Sequence, residues 1–87
     1  MKIKKNFILR EVAGTFVVVA VGEAVKDFNM VINLNKTGAF IWKQLEQGVT
    51  KEELVERLIG EYDVEEQVAK RDVEAFLLKI MEANLLD

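Results

Sequence analysis

One stretch of the chain decides the fold, and over residues 30–42 it reads MVINLNKTGAFIW. Its first part, Val31 to Leu34, is a β-branched, apolar run of the kind found in strands. After Asn35 the apolar residues return at helical spacing, so the stretch predicts a strand followed at once by a helix. We expect Asn35 to be the N-cap of that helix, because its side-chain oxygen can accept from an unpaired amide of the first turn.

Two further strands are predicted on the N-terminal side of this stretch. The runs from Lys5 to Val12 and from Thr15 to Val21 are rich in β-prone residues, and Ala13-Gly14 between them is a turn signal. We therefore expect a hairpin, then a polar connector over residues 22–29, and then the third strand. Such a short antiparallel sheet has edges whose main-chain groups are unpaired.

Helices are predicted on the C-terminal side. The first runs from about Lys36 to Gln47 and ends at Gly48, a residue type suited to a left-handed C-cap. The second begins after Thr50, which forms a capping box with Glu53, and it ends at Tyr62.

The third helix carries the longest apolar stripe of the sequence. Asp63 and Glu66 form a second pair of the capping-box type, which predicts that Asp63 opens this helix. Asn84 stands where a left-handed cap residue is expected, and Leu85-Leu86 should then fold back onto the helix. The core-facing residues of the stripe are predicted to be Ala69, Val73, Phe76, Leu77 and Ile80.

The predicted architecture is α+β, with a three-stranded antiparallel sheet followed by three helices in a single domain over residues 1–87. The helices are joined by connections short enough for a helix-turn-helix. A helix-turn-helix flanked by a small sheet is the winged-helix class. Trp42 and Phe40 are expected to pack on the sheet as core or near-core residues.

The composition excludes most catalytic chemistry. The sequence has no Cys, His or Ser, so the usual nucleophiles, the commonest general base and Cys- or His-ligated metal sites cannot be built. Adjacent carboxylates such as Glu52-Glu53 point in different directions on a helix and indicate solvated faces. We expect no enzyme activity, no catalytic residue, no metal site and no cofactor.

The charge of the chain disfavours nucleic acid as a partner. The net charge is −3, and no basic block exceeds Lys2, Lys4 and Lys5, whereas phosphate neutralisation by basic side chains supplies most nucleic-acid affinity. No window approaches the roughly 20 apolar residues that span a bilayer, and the N-terminus lacks the apolar segment of a signal peptide. We expect a cytoplasmic protein with no membrane contact.

Four motifs occur in order along the chain: DFNMVINLNKTGAFIW from Asp27, TKEELV from Thr50, EYDV from Glu61 and DVEAFLLKIMEANLL from Asp72. In this combination and spacing they resemble the pyrroloquinoline-quinone (PQQ) biosynthesis protein D family. Members of that family are also called recognition elements of ribosomally made, post-translationally modified peptides. The resemblance covers the chain from about Phe7 to Leu86. It departs from the family at Asn84, where the family usually has Gly, and Asn is the next-best residue for a left-handed cap.

The resemblance implies a non-catalytic peptide chaperone, which binds the leader segment of a precursor peptide and presents the precursor to a modifying enzyme. Such enzymes are often of the radical S-adenosylmethionine type. In the family the leader adds as a strand to the third strand, in a groove walled by the third helix, and strand addition needs only a free edge and side-chain pockets.

Transferred to this sequence, the resemblance implies a strand edge and one of two alternative walls. The edge comprises Met30, Val31, Ile32, Asn33 and Leu34. The first wall comprises Asp72, Ala75, Phe76 and Lys79, and the alternative wall, on the opposite flank of the same helix, comprises Lys70, Glu74, Leu78 and Met81. The residues leave the choice between these walls open.

Two other functions are compatible with the residues. A winged-helix DNA-binding regulator would place the third helix in the major groove, although the exposed charges of that helix nearly cancel. A structural or assembly subunit would pair the free strand edge with another copy, for instance by domain swapping through residues 22–29. The chain is accordingly expected to be a monomer or a weak, domain-swapped homodimer.

Overall fold

The computed structural model describes residues 1–26 and 31–87, and its sheet of three antiparallel strands is followed by three α-helices. The strands are β1 (Phe7–Val12), β2 (Thr15–Ala20) and β3 (Ile32–Leu34), with a short 3-10 helix, Gly22–Lys26, between β2 and β3. The helices are α1 (Lys36–Gln47), α2 (Lys51–Tyr62) and α3 (Glu66–Glu82). The predicted α+β, winged-helix class is confirmed.

The sheet has the strand order β1-β2-β3. β1 and β2 form the predicted hairpin, and Val12 pairs with Thr15, so the turn consists of Ala13 and Gly14 alone. Both turn residues have positive φ, 52° and 80°, which is the type I′ geometry that matches the twist of paired strands. β3 pairs with β2 on one side, and within residues 1–26 and 31–87 no strand pairs with its other side.

The strand predicted over Val31 to Leu34 is observed one residue shorter, as Ile32–Leu34. Val31 lies just before it and its side chain is exposed. The predicted connector over residues 22–29 begins with the 3-10 helix. Residues 27–30, which include the predicted site residue Met30, lie outside the described residues.

The N-terminal caps of the first two helices are those predicted. Asn35 Oδ1 accepts a 2.7 Å hydrogen bond from the amide of Gly38, in the first turn of α1. Thr50 and Glu53 form a reciprocal capping box at the start of α2. Each cap satisfies amides that have no partner within the helix.

The prediction that Asp63 opens the third helix is wrong. Asp63 instead ends α2 in the left-handed conformation, with φ 51°, and its amide donates to the Ile59 carbonyl at 2.9 Å. α3 begins only at Glu66. Asp is among the few residues that tolerate this conformation, so the same side chain type suits a helix end as well as a helix start.

The end of α3 follows the prediction. Asn84 has the left-handed backbone conformation, with φ 60°. The Leu85 amide donates to the Ile80 carbonyl at 3.0 Å, which is the six-to-one hydrogen bond of a Schellman motif. Leu85 is consequently folded into the core, where it is fully buried.

The core lies between the sheet and the three helices. Trp42 is fully buried, as predicted, and its indole Nε1 has no hydrogen-bond partner among the described residues. The predicted stripe of α3 is buried over its whole length: Ala69, Val73, Phe76, Leu77 and Ile80. No helix in the described part of the chain is long and apolar enough to cross a membrane.

Main-chain hydrogen bonds join the first few residues to the last few. Ile3 forms an isolated antiparallel bridge with Leu86, and the Lys4 amide donates to the Leu85 carbonyl at 2.9 Å. We call residues 1–4 and 85–87 together the terminal clasp. The clasp lies against the C-terminal end of α1, where the Ile3 amide donates to the Leu45 carbonyl at 3.3 Å, and the Ile3 side chain is buried in the core.

Candidate functional site

A groove of about 420 Å³ lies between β3, the first turns of α1 and one face of α3. It is lined by Asn33, Leu34, Asn35, Thr37, Gly38, Ile41, Asp72, Ala75, Phe76 and Lys79. Apolar side chains are thus combined with amide, hydroxyl and charged groups. This mixture suits an extended peptide, which needs main-chain partners along one side and side-chain pockets along the other.

The main chain of β3 faces the groove at Asn33. Ile32 and Leu34 are buried in the core, whereas Asn33 between them is exposed. The Asn33 carbonyl accepts a 3.4 Å hydrogen bond from Lys79 Nζ on α3, so it points toward the open side of the strand. Outward-facing main-chain groups belong to alternate residues of an antiparallel strand, so a strand that pairs with Asn33 would next meet the main chain of Val31 if it extends past the start of β3.

Six of the nine predicted peptide-binding residues line this groove: Asn33, Leu34, Asp72, Ala75, Phe76 and Lys79. Of the other three, Ile32 is a buried core residue that does not line the groove. Val31 is exposed before the start of β3, at 58%, and Met30 lies outside the described residues.

The two alternative walls predicted on α3 face different parts of the molecule. The wall with Asp72, Ala75, Phe76 and Lys79 is the one beside β3. On the opposite flank, Glu74 lies 3.5 Å from Lys51 of α2, so this flank faces α2. Leu78 and Met81 of the same flank are exposed to solvent. Only the first wall therefore shares a groove with the strand edge, in the part of the chain that the structure describes.

Sequence reasoning missed the contribution of α1 to the groove. It assigned Asn35 to capping, and it gave Thr37, Gly38 and Ile41 no role in binding. The available signal was Asn35 itself, because a cap directly after β3 places the first turn of α1 at the end of that strand.

Gly38 of α1 lies against Phe76 of α3 and the N-cap of its own helix. A Cβ atom at this position would lie 3.2 Å from the capping oxygen, Asn35 Oδ1. It would also lie 3.3 Å from Phe76 Cε2 and 3.4 Å from Leu34 Cβ. These distances are at the short limit of carbon–carbon contact. The absence of a side chain at Gly38 therefore lets the Phe76 ring pack against the first turn of α1.

Two charged side chains, Asp72 and Lys79, stand in the groove lining. They are separated by about 10 Å along the axis of α3, at 1.5 Å per residue. Within residues 1–26 and 31–87 no group of three or more His, Cys, Asp or Glu side chains is placed to hold a metal ion. The lining therefore offers hydrogen bonds, apolar contacts and two opposite charges.

A family model described as Coenzyme PQQ synthesis protein D (PqqD) matches residues 8–86. The chain belongs to the PqqD family. The resemblance read from the four sequence motifs is thereby confirmed over nearly the whole length of this PqqD-family chain. A comparison with curated protein sequences gives no significant match.

Solved structures with the same fold include two complexes with leader peptides. The structure described as TbiB1 in complex with the TbiA(beta) leader peptide has a TM-score of 0.78 at 26% identity, and the match covers 100% of this PqqD-family chain and 95% of that chain. The structure described as lasso peptide synthetase B1 complexed with the leader peptide has a TM-score of 0.74 at 23% identity, with coverages of 97% and 93%. At 23% identity, the match to the lasso peptide synthetase B1 structure shows a shared fold and nothing more.

Proposed function

We propose that this protein binds the leader segment of a ribosomally synthesised precursor peptide by strand addition to β3, and that it presents the precursor to a modifying enzyme. The observation that carries the proposal is the edge of β3 with which no strand of residues 1–26 and 31–87 pairs, beside a groove whose wall on α3 combines Ala75 and Phe76 with Asp72 and Lys79. Strand addition takes affinity from main-chain hydrogen bonds and specificity from side-chain pockets. Membership of the PqqD family and the likeness to TbiB1, whose structure is a complex with a leader peptide, support the same function.

Each part of the groove has a distinct task in this proposal. The main-chain groups of Val31 and Asn33 pair with the leader strand. Leu34, Ile41 and Phe76 form the floor of the groove and are largely buried, at 8%, 1% and 8% exposure. An apolar leader side chain packs on the small surface that they leave open, beside the exposed Ala75.

The protein takes no chemical part in the modification in this proposal. The hydroxyl group in the lining belongs to Thr37, and the sequence contains no His or Cys to activate it or replace it. A separate enzyme, of the radical S-adenosylmethionine type or another peptide-modifying type, acts on the precursor while the leader is held. We place this step in the cytoplasm, where ribosomes make the precursor.

The proposal is tested by an amide NMR titration of the isotope-labelled protein with the leader of the precursor encoded beside its gene. We expect shift changes confined to residues 31–38 and 72–79, saturating at low micromolar leader. A well-dispersed spectrum that does not change on addition of the leader would contradict leader binding. Changes confined to α2 and the opposite flank of α3 would contradict the groove.

Two neighbouring residues of α3 provide a matched pair of variants for calorimetry. Ala75→Gln adds bulk to the groove wall, whereas Glu74→Gln changes the adjacent residue, which faces Lys51 of α2. Both residues are exposed, so both variants should fold. We expect Ala75→Gln to weaken leader binding by about tenfold, because the added side chain competes for the space of the leader, and Glu74→Gln to leave binding within about twofold.

A further inference from the structure

Resting on the proposed function, we infer that Lys79 sets the charge specificity of the groove. The leader strand displaces the Lys79 ammonium from the Asn33 carbonyl and must bring a carboxylate side chain to receive it. The predicted partner is therefore a leader with an Asp or Glu beside the residue that pairs with Asn33.

The inference begins with the position of the ammonium in the free protein. Lys79 Nζ lies 3.4 Å from the Asn33 carbonyl oxygen, which is the main-chain acceptor that β3 offers to an added strand. An incoming strand directs one of its own amides at this same oxygen, because every outward carbonyl of an edge strand is a ladder acceptor. A carbonyl oxygen can accept two hydrogen bonds, but both donors would reach this one from the groove side, so in our inference the leader amide takes the place of the ammonium.

The charge of Lys79 is uncompensated within the described residues. Two of the four other lysines of the helical half pair with carboxylates, Lys51 with Glu74 at 3.5 Å and Lys70 with Glu66 at 3.3 Å, but neither of them lines the groove. Lys79 has no such partner among residues 1–26 and 31–87. The carboxylate in the groove lining, Asp72, stands about 10 Å away along the helix.

Strand addition makes an unpaired ammonium costly. In the free protein, water solvates the exposed Lys79 head group. A leader strand laid between β3 and α3 removes part of that water, and a cation deprived of water is unfavourable unless a partner replaces the lost hydrogen bonds. A leader carboxylate supplies a charge-assisted hydrogen bond, whereas a leader Lys or Arg at the same place is repelled.

The test uses the leader of the precursor encoded beside the gene and a set of synthetic leaders in which each Asp or Glu is replaced singly by Asn or Gln. Calorimetry compares the wild-type protein with Lys79→Met, which keeps the length of the side chain without its charge. Lys70→Met is the control, because Lys70 lies on the same helix but faces away from the groove.

We expect one leader replacement to weaken binding to the wild-type protein by about tenfold. Lys79→Met should weaken binding of the native leader by a similar factor and abolish the effect of that replacement, which is the signature of a direct pair. Lys79→Glu combined with a leader in which the same acidic residue becomes Lys should restore affinity. Lys70→Met should bind every leader as the wild-type protein does.

Two results would overturn the inference while leaving the proposed function intact. One is binding of the native leader with equal affinity by the wild-type protein and by folded Lys79→Met. The other is tight binding of a leader from which every carboxylate side chain has been removed. Failure of the wild-type protein to bind the native leader would overturn the proposed function, and this inference with it.

Discussion

At the scale of the residue, the shape of the groove depends on a side chain that is missing. Gly38 occupies the first turn of α1, where its amide is held by the Asn35 side chain at 2.7 Å, and its lack of a Cβ gives Phe76 room. Most helical positions favour Ala over Gly by about 1 kcal/mol. Gly stands at position 38 although Ala would favour the helix. This indicates that the close packing of Phe76, and not helix propensity, selects Gly at this position.

We expect Gly38→Ala to weaken leader binding by about tenfold, because the Phe76 ring must move into the groove to accommodate the new methyl group. The free energy of unfolding should change by less than about 1 kcal/mol, since the gain in helix propensity offsets the steric cost. Calorimetry and chemical denaturation measure the two effects.

Gly60→Ala is the matched control for this prediction. Gly60 lies inside α2, and a Cβ atom there would have no neighbour within 4 Å. The substitution should raise the free energy of unfolding by up to about 1 kcal/mol and leave leader affinity unchanged. If Gly38→Ala also bound the leader with unchanged affinity, Gly38 would not shape the groove.

At the scale of the element, the hairpin turn contains a residue that is poorly suited to its conformation. Ala13 has φ 52°, and a left-handed conformation costs a non-glycine residue about 1–2 kcal/mol, less for Asn. We expect Ala13→Asn to raise the free energy of unfolding by about 0.5–1 kcal/mol, because Asn-Gly is the preferred pair for this turn. Chemical denaturation gives the value, and an unchanged midpoint would refute the assignment of strain to Ala13.

The capping box of α2 makes part of the stability depend on pH. The hydrogen bond from the Thr50 amide to the Glu53 carboxylate lowers the pKa of Glu53 below its ordinary value, and the Thr50 side chain adds to this effect. A carboxyl whose pKa is lower in the folded protein stabilises the fold at neutral pH. That contribution disappears as the pH falls from the unfolded-state pKa of the carboxyl through its folded-state value.

We therefore expect Glu53→Gln to lose less stability than the wild-type protein when the pH is lowered from neutral through the acidic range. Gln can keep a hydrogen bond to the Thr50 amide, but it does not titrate. Denaturation midpoints measured over a series of pH values make the comparison. Parallel pH profiles for the two proteins would show that the capping carboxylate has no linked effect on folding.

The elements were predictable where the signal is local. The change of period after Asn35 and the Thr50–Glu53 spacing depend on neighbouring residues, and both structural assignments hold. Asp63 was misassigned because one residue type serves both ends of a helix. The contacts of Asn33 with Lys79 and of Gly38 with Phe76 arise from packing of segments far apart in sequence, which no local pattern encodes.

At the scale of the whole molecule, the open side of β3 is where a second chain can add. A leader strand and the edge strand of another copy would use the same main-chain groups. We therefore expect saturating leader to convert any dimer formed through β3 into complexes of one protein with one leader. Size-exclusion chromatography with light scattering, over a concentration series with and without leader, makes this measurement. A dimer that binds the leader without dissociating would show that self-association uses another surface.

The terminal clasp also bears on the order in which the molecule folds. The bridge between Ile3 and Leu86 closes a loop that contains almost the whole chain, and the entropy lost on closing a loop grows with its length. The hairpin and the helices close much shorter loops, so we expect their contacts to form before the clasp. On that order, weakening the clasp should accelerate unfolding and leave the folding rate nearly unchanged, because bonds formed after the transition state affect the unfolding rate alone.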